Sequence, residues 1–259
     1  MLYTARISPL QTLLAWLASW GRLLHFGARL LVLALAPSSY RRSQRRLILR
    51  TLYLATAPLL PGFAIASAVA AQIVIRIVLA TALSYGLSRY ALDVLVRTLV
   101  LELIPLSAAL FAAVRYTLPA AEQVRRQRQQ GLHKAALARG HDPLRDEVLP
   151  RALAGVFAAI TLTLLSSFIT LVLSYLAVYG FSGWGVEGFT RTVGQVFSPV
   201  IVLIFGLKTL LLSLAVAIIP MVPLAREESL VGRADIARLA RLLAVVLLIE
   251  LLSLVGNYY

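Results

Sequence analysis

Long apolar stretches separated by polar segments dominate the chain. Residues 153–179 carry no charge, and Arg76 is the single charged residue in residues 52–83. A transmembrane helix needs about 20 predominantly apolar residues, so stretches of this length are typical of membrane spans. We predict five spans, at about residues 52–83, 94–115, 153–179, 196–222 and 242–256. The predicted fold is therefore an all-α integral membrane bundle.

The first predicted span has two further features. Pro58 and Pro61 predict a kink near its start, because proline removes a helical hydrogen bond. Small side chains then cover successive helical turns, which allows two helices to approach closely. We predict a helix–helix interface along Ala64, Ala66, Ser67, Ala68, Ala70 and Ala71.

Residues 8–36 form a segment of a different kind, in which polar positions follow a helical period. Ser8 and Pro9 are typical of a helix start. The narrow stripe consists of Gln11, Ala15, Ser19, Arg22, His25 and Arg29. Such an amphipathic helix, with tryptophans on its apolar side, is typical of the membrane surface; a tilted span is the alternative. We assign residues 1–50 to this interfacial helix and the basic segment after it, and residues 51–259 to the membrane domain.

Arginine and lysine predict the orientation of the bundle. The segments 37–50, 115–151 and 223–241 fall on one side of five spans and together carry 17 basic residues, whereas the segments 81–97 and 180–196 carry 3. Basic residues stay on the cytoplasmic side of a membrane. We therefore expect the N-terminus inside and the C-terminus outside.

Composition excludes several classes of function. The chain has 259 residues, is 60% hydrophobic and 14% charged, and carries a net charge of +14, unlike a soluble domain. It has no cysteine and three scattered histidines, so we predict no metal site. The sequence lacks phosphate-binding glycine loops and the GxSxG and HExxH motifs, and its arginines lack the interleaved aromatic residues of a nucleic-acid-binding surface. We predict no enzymatic activity, bound cofactor or nucleic-acid partner.

The charged residues that fall most clearly within predicted spans are Glu102, Lys208 and Glu250, and Arg76 is a fourth near the end of its span. A charge near the centre of a membrane helix costs roughly 2.5–3.5 kcal/mol on insertion scales, so each should face protein or water. These side chains form either a polar lining for the headgroup of an amphiphile or interhelical ion pairs. We favour the lining for Glu102, because Pro105 opens the backbone beside it. For Lys208 and Glu250 we favour an ion pair between adjacent spans.

A polar segment between the second and third spans cannot lie in lipid. Pro119 can begin a helix there and Gly140 can end one, with Gly131 as a weak point between them. The basic residues of the segment are Arg125, Arg126, Arg128, Lys134, Arg139 and Arg145. The segment is either a solvated surface that only sets the topology or a docking surface for a partner protein.

Two prolines follow this segment. Pro143 is expected to end one element and Pro150 to begin the next, because proline cannot continue a helix interior. Asp142 is placed to cap a helix. Together these positions predict a junction between the polar segment and the third span.

The sequence around this junction resembles the DPxRxxVxPRxxAG stretch of the MlaE/YrbE family of ABC-transporter permeases, the membrane subunits of MCE-type lipid transport systems. The matching positions are Asp142, Pro143, Arg145, Val148, Pro150, Arg151, Ala154 and Gly155. Upstream, the family's RELGP motif is matched by Glu102, Leu103 and Pro105, and the arginine of its AGR motif by Arg115. Arg50, Lys208, residues 231–234 and Glu250 also agree. The resemblance covers about residues 45–255.

The resemblance implies a permease that moves phospholipid between the bacterial inner membrane and a periplasmic MCE-domain carrier, for outer-membrane lipid homeostasis. It implies a homodimer whose partners are a cytoplasmic ABC ATP-binding subunit, which binds the ATP, often a STAS-domain subunit, and the MCE protein. The implied lipid-binding residues are Arg50, Glu102, Pro105 and Arg115. The implied coupling segment is 117–142, and the residues implied in coupling to the ATPase are Arg125, Arg126, Arg128, Lys134, Arg139, Asp142 and Arg145.

The sequence also departs from the family. Leu101 and Ile104 replace the arginine and glycine of RELGP, and Val114 replaces the glycine before Arg115. Residues 129–140 carry basic side chains where the family has an acidic coupling stretch. Because like charges oppose association, a matching ATPase groove should be unusually acidic. Alternatively, the chain is a diverged scaffold subunit that moves no lipid; a lipid-modifying enzyme would need more polar groups at one depth.

Overall fold

The computed structural model describes residues 9–40, 42–223 and 231–258, and over these ranges the chain consists of helices and short turns. The α-helices are α1 (Pro9–Leu35), α2 (Arg42–Thr56), α3 (Leu60–Ser84), α4 (Ser88–Leu95), α5 (Ile104–Ala112), α6 (Leu118–Gln129), α7 (Leu132–Ala138), α8 (Leu149–Tyr179), α9 (Val186–Val196), α10 (Pro199–Ile218) and α11 (Val231–Tyr258). Ser8, Arg41 and the side chains of Gln11, Ala15 and residues 231–234 lie outside what is described.

Five helical runs in the described chain are long and apolar enough to cross a membrane. They are Gln44–Ser84, Tyr90–Gln129, Leu144–Tyr179, Pro199–Met221 and Ile236–Asn257. The all-α bundle with five spans is therefore confirmed, and the chain is a multi-pass membrane protein. Helix α1 is not among these runs, so its position at the membrane surface stays a prediction.

Helix α8 lies at the centre of the bundle and contacts α2, α3, α5 and α10. Gly155 allows one of these close approaches. A Cβ at this position would lie 2.5 Å from the Cγ2 atom of Thr117 and 3.3 Å from the Cβ atom of Ala217. The packing around α8 therefore leaves no room for a larger residue at position 155.

The contact between α3 and α8 follows residues spaced four apart on α3, namely Phe63, Ser67, Ala71 and Ile75. The Ser67 hydroxyl donates a 2.9 Å hydrogen bond to the Ser166 hydroxyl of α8, and Phe63, Ala71 and Ile75 are buried. The predicted small-residue interface is thus confirmed for Ser67 and Ala71. Ala64 and Ala68 are half-buried, whereas Ala66 and Ala70 are exposed, so their part in an interface stays a prediction.

The first helical run bends at the predicted place. Helix α2 ends at Thr56 and α3 begins at Leu60, with Pro58 in the turn between them. The predicted domain boundary between residues 50 and 51 falls inside α2, so no break in secondary structure marks it.

The second and third helical runs are longer than the predicted spans. Each run continues through a π-helical turn that precedes a proline. The turn Ala113–Thr117 joins α5 to α6, and the turn Leu144–Val148 leads directly into α8. A π-turn shifts the backbone hydrogen bonds by one residue, so Pro119 and Pro150 are accommodated without a break. Helix α8 begins at Leu149 with Pro150 in its first turn, as predicted, and the π-turn extends the helical run upstream to Leu144.

The segments treated as loops on the far side are also partly helical. Residues 88–95 form α4 and residues 186–196 form α9. Both helices are short, and α4 packs against α3, α8 and α9. Short amphipathic stretches are ambiguous in sequence. Their apolar faces indicate helices only when the neighbouring spans are known.

Candidate functional site

A buried lysine, Lys208, contacts Glu102 and Glu250, two acidic side chains that also lie within the spans. Lys208 lies in α10, and its side chain is 1% exposed. Its ammonium group makes one ion pair with Glu102, in the turn before α5, and another of 2.9 Å with Glu250 of α11. A third contact, of 3.1 Å, goes to the backbone carbonyl of Leu101. All three N–H donors of the ammonium are thus used, and the predicted pair between Lys208 and Glu250 is confirmed.

Pro105 explains why the carbonyl of Leu101 can accept this hydrogen bond. In an α-helix the carbonyl of residue 101 accepts the N–H of residue 105, and proline has no N–H. The preceding turn, Val96–Leu103, is π-helical, and Pro105 itself is buried. The backbone opening expected beside Glu102 is present, and Lys208 fills it.

Asn257 completes this polar cluster, and sequence reasoning missed it. Its side-chain amide donates a 2.8 Å hydrogen bond to the second carboxylate oxygen of Glu102. Asn257 lies seven residues after Glu250, which is about two helical turns, so both side chains occupy the same face of α11. That spacing was the signal available in the sequence.

The two carboxylates of the cluster are not equivalent. Both oxygens of Glu102 accept hydrogen bonds, from Lys208 and Asn257. Glu250 contacts Lys208 through one oxygen, whereas the other is buried with no hydrogen-bond partner among the described residues. The cluster therefore provides hydrogen-bond partners for both oxygens of Glu102 but for only one oxygen of Glu250.

The four residues implied in lipid binding do not lie at one place. Glu102 and Pro105 belong to the cluster around Lys208. Arg115 follows Glu102 by 13 residues in one continuous helical run, which is about 20 Å at 1.5 Å per residue. Arg50 is exposed on α2. Their role in lipid binding stays a prediction, and they cannot act as a single pocket.

Arg115 lines a cavity of about 610 Å³ between α2, the junction of α5 and α6, and the start of α8. Its apolar wall includes Leu47 and Leu54 of α2. The charged residues lining it are Arg115, Asp146, Glu147 and Arg151. We call this space the α2 cavity.

The two carboxylates of the α2 cavity have partners elsewhere. Asp146 accepts a hydrogen bond from the side-chain amide of Gln44, and it lies 3.6 Å from the ring of His141. Glu147 lies 3.2 Å from the ring of His133 in α7. These contacts fix the start of α8 against α2 and α7.

The predicted coupling segment contains two helices with the expected break. Gly131, with a φ angle of +75°, separates α6 from α7, and Gly140, with a φ angle of +77°, follows α7. These positive φ angles suit glycine because it has no Cβ. The predicted helix boundaries at both glycines are confirmed.

The basic residues of this segment differ in accessibility. Arg125 is buried and makes a 2.6 Å ion pair with Glu122, whereas Arg126 contacts the same carboxylate at 3.0 Å with its side chain 71% exposed. Lys134 and Arg139 are exposed on and after α7, and Arg128 is half-buried. Arg126, Lys134 and Arg139 therefore expose their charge at the surface of the described chain, and their role in coupling stays a prediction.

Asp142 and Arg145 have structural roles at the start of the third run. The carboxylate of Asp142 accepts a 3.0 Å hydrogen bond from the backbone N–H of Leu144, so the predicted cap is confirmed. Arg145 is half-buried, and two of its nitrogen atoms are enclosed without a hydrogen-bond partner among the described residues. Arg145 is directed into the protein and is a poor candidate for a direct contact with a partner.

The family model for permease MlaE matches residues 48–255, from α2 to the end of α11. The chain belongs to the MlaE permease family. No curated protein matched the chain in a separate comparison. Membership in the MlaE family makes the chain a permease subunit of an ABC-type lipid transport system.

The MlaE architecture here contains one informative departure. Leu101 stands where the resemblance places an arginine, and its side chain is 2% exposed. The cluster around Lys208 therefore contains two carboxylates but a single cation among the described residues. In this MlaE permease the backbone carbonyl at position 101, rather than its side chain, contributes to the cluster.

Proposed function

We propose that this MlaE permease moves phospholipid between the inner membrane and a periplasmic MCE-domain carrier. A separate cytoplasmic ABC subunit supplies the energy by hydrolysing ATP, and a STAS-domain subunit assists in some complexes. The permease acts as a homodimer. Family membership over residues 48–255 is the observation that carries this proposal.

The distribution of basic residues supports the orientation. With the 17 basic residues of the segments 37–50, 115–151 and 223–241 in the cytoplasm, α6 and α7 face the ATPase. The α2 cavity then lies at the cytoplasmic end of the bundle, and the cluster around Lys208 lies within the membrane.

The length of the second run supports a mechanical link. It contains 40 residues, which is about 60 Å at 1.5 Å per residue, whereas the hydrocarbon core is about 30 Å thick. Roughly half of this helix therefore projects beyond the apolar core. A displacement of α6 by the ATPase would be transmitted along one continuous helix to Glu102 and Lys208.

Docking of the ATPase is expected to depend on the exposed basic side chains. The test variant is Arg126→Glu, Lys134→Glu and Arg139→Glu together, and the measurement is recovery of the ATP-binding subunit with the affinity-tagged permease from detergent-solubilised membranes. The control is Arg191→Glu in α9, which reverses one charge at an exposed arginine on the far side. We expect loss of the ATPase with the triple variant and full recovery with the control. Equal recovery from both variants would remove this surface from the proposal.

Transport is tested with the complex reconstituted in liposomes, with ATP-dependent transfer of fluorescent phospholipid to the MCE protein as the measurement. A permease that binds the ATPase and stimulates hydrolysis but transfers no lipid would favour the scaffold alternative. The basic stretch at residues 129–140 is the observation behind that alternative. If the mixed, purified subunits show neither stimulation of ATP hydrolysis nor transfer of phospholipid, the proposed function is contradicted.

A further inference from the structure

The α2 cavity has an electrostatic asymmetry that points to a ligand. Asp146 and Glu147 are each engaged by other side chains, Gln44, His141 and His133. Arg115 has no hydrogen bond or ion pair to any described residue, and Arg151 donates one 2.9 Å hydrogen bond to the backbone carbonyl of Glu147. Two guanidinium groups thus face this space without a carboxylate partner.

We propose that the α2 cavity binds the phosphate of a glycerophospholipid headgroup through Arg115 and Arg151. Guanidinium groups bind phosphate oxygens through strong, charge-assisted hydrogen bonds. Tyr116 lines the same cavity, and its hydroxyl is a donor for a third oxygen. This inference rests on the proposed function in one respect: it specifies where a cytoplasmic-leaflet lipid binds to the permease.

The walls of the cavity indicate a lipid rather than a free phosphate ester. Leu47, Leu54 and Ala55 of α2 form an apolar side next to the arginines, and Tyr53 on the same helix is 70% exposed. A volume of about 610 Å³ lies within the range of small-ligand pockets, roughly 300–1,000 Å³. The cavity therefore encloses a headgroup, and the acyl chains extend along α2 into the bilayer.

A buried acceptor on a residue that lines the cavity defines the headgroup further. Gln127 is one of the residues that line the cavity, and its side-chain oxygen is buried with no hydrogen-bond partner among the described residues. A buried acceptor that lacks a hydrogen-bond partner destabilises the structure. A headgroup with an N–H or O–H donor, such as ethanolamine or glycerol, satisfies it. The quaternary ammonium of choline has no such donor.

The test measures lipid binding by native mass spectrometry of the purified full-length permease. The delipidated protein is titrated with phosphatidylethanolamine, phosphatidylglycerol and phosphatidylcholine that carry identical acyl chains. We expect the first two lipids to bind more tightly than phosphatidylcholine. Gln127→Leu is expected to abolish this preference, because it removes the acceptor. Equal affinity of the wild-type protein for all three lipids would contradict the role of Gln127.

The phosphate contact is tested with Arg115→Gln and Arg151→Gln together. The matched control is Arg45→Gln with Arg46→Gln, which removes the same charge from exposed positions on α2. We expect the cavity variant to bind phospholipid about tenfold more weakly or worse, since it loses hydrogen bonds to a charged group, and the control to bind like wild type. Thermal unfolding identifies any variant that fails to fold, and the lipid preference of the wild-type protein tests the site without a substitution.

Competition separates a lipid from a free phosphate. Excess inorganic phosphate and glycerophosphoethanolamine are added as separate competitors. Displacement of phospholipid by inorganic phosphate alone at comparable concentration would show that the cavity recognises phosphate without the lipid, and would overturn the proposal. Unchanged affinity of the cavity variant, in a complex that still transfers lipid, would overturn this site but leave the proposed function intact. Tight phospholipid binding by the wild-type permease without any lipid transfer would support this site but contradict the proposed function.

Discussion

Replacement of Lys208 by methionine should destabilise the bundle strongly. Methionine has a similar length but no charge, so the change removes three contacts at once. Glu102, Glu250 and the carbonyl of Leu101 lose their common donor. The carboxylates remain largely enclosed, with side-chain exposures of 12% and 17%.

The expected loss is about 3–5 kcal/mol, the usual effect of removing one partner of a buried ion pair. The matched control is Arg97→Met. Arg97 pairs with Asp93 at 3.1 Å, but these side chains are 30% and 39% exposed. Exposed pairs contribute about 0–1 kcal/mol, so the control should change stability little.

The assay is equilibrium unfolding of the purified permease in mixed micelles with increasing fractions of a denaturing detergent, followed by tryptophan fluorescence and circular dichroism. A triple variant, Lys208→Met with Glu102→Gln and Glu250→Gln, supplies the decisive comparison. It removes all three charges, and we expect most of the lost stability to return, because a neutral replacement of a buried charge cluster is often tolerated. If Lys208→Met costs no more than Arg97→Met, the cluster does not hold the spans together and this reasoning is refuted.

Three further predictions use the same unfolding assay. Glu102→Gln should cost about 1.5–3 kcal/mol because it weakens hydrogen bonds on both oxygens, whereas Glu250→Gln, with one oxygen already unpaired, should cost clearly less; equal losses would contradict the asymmetry. Gly155→Ala should cost about 1–3 kcal/mol through overpacking, and Thr117→Ser, which removes the methyl group 2.5 Å from the new Cβ, should restore part of it. Asp142→Ala should cost about 0.5–2 kcal/mol through loss of the cap on Leu144, and the same loss with Asp142→Asn would argue against a capping role.

Much of the fold follows from local patterns in the sequence. The five spans, the bend at Pro58 and the breaks at Gly131 and Gly140 each depend on side chains within a few residues of the feature. Apolar length, a missing N–H and a positive φ angle are local properties, so a single sequence is sufficient to predict them.

The candidate sites depend instead on residues that are distant in sequence. Lys208 and Glu102 are 106 residues apart, and Gln44 and Asp146 are 102 apart. Charge cost predicts that Lys208 needs a partner, but it does not choose between Glu102 and Glu250. The π-turns before Pro119 and Pro150 were also not predicted, because no residue pattern marks a one-residue shift of the backbone hydrogen bonds.

The geometry of the second run connects the two candidate sites. Glu102 and Arg115 lie on one continuous helical run, so a lipid phosphate held by Arg115 and the ion cluster around Lys208 are linked through the same run. Arg126, on the same run, presents charge at its far end. A movement of α6 therefore cannot reach Lys208 without also moving Arg115 against α2. This coupling follows from helix continuity, and it predicts that insertion of two glycines after Tyr116 would uncouple lipid binding from ATP hydrolysis while leaving the cluster around Lys208 intact.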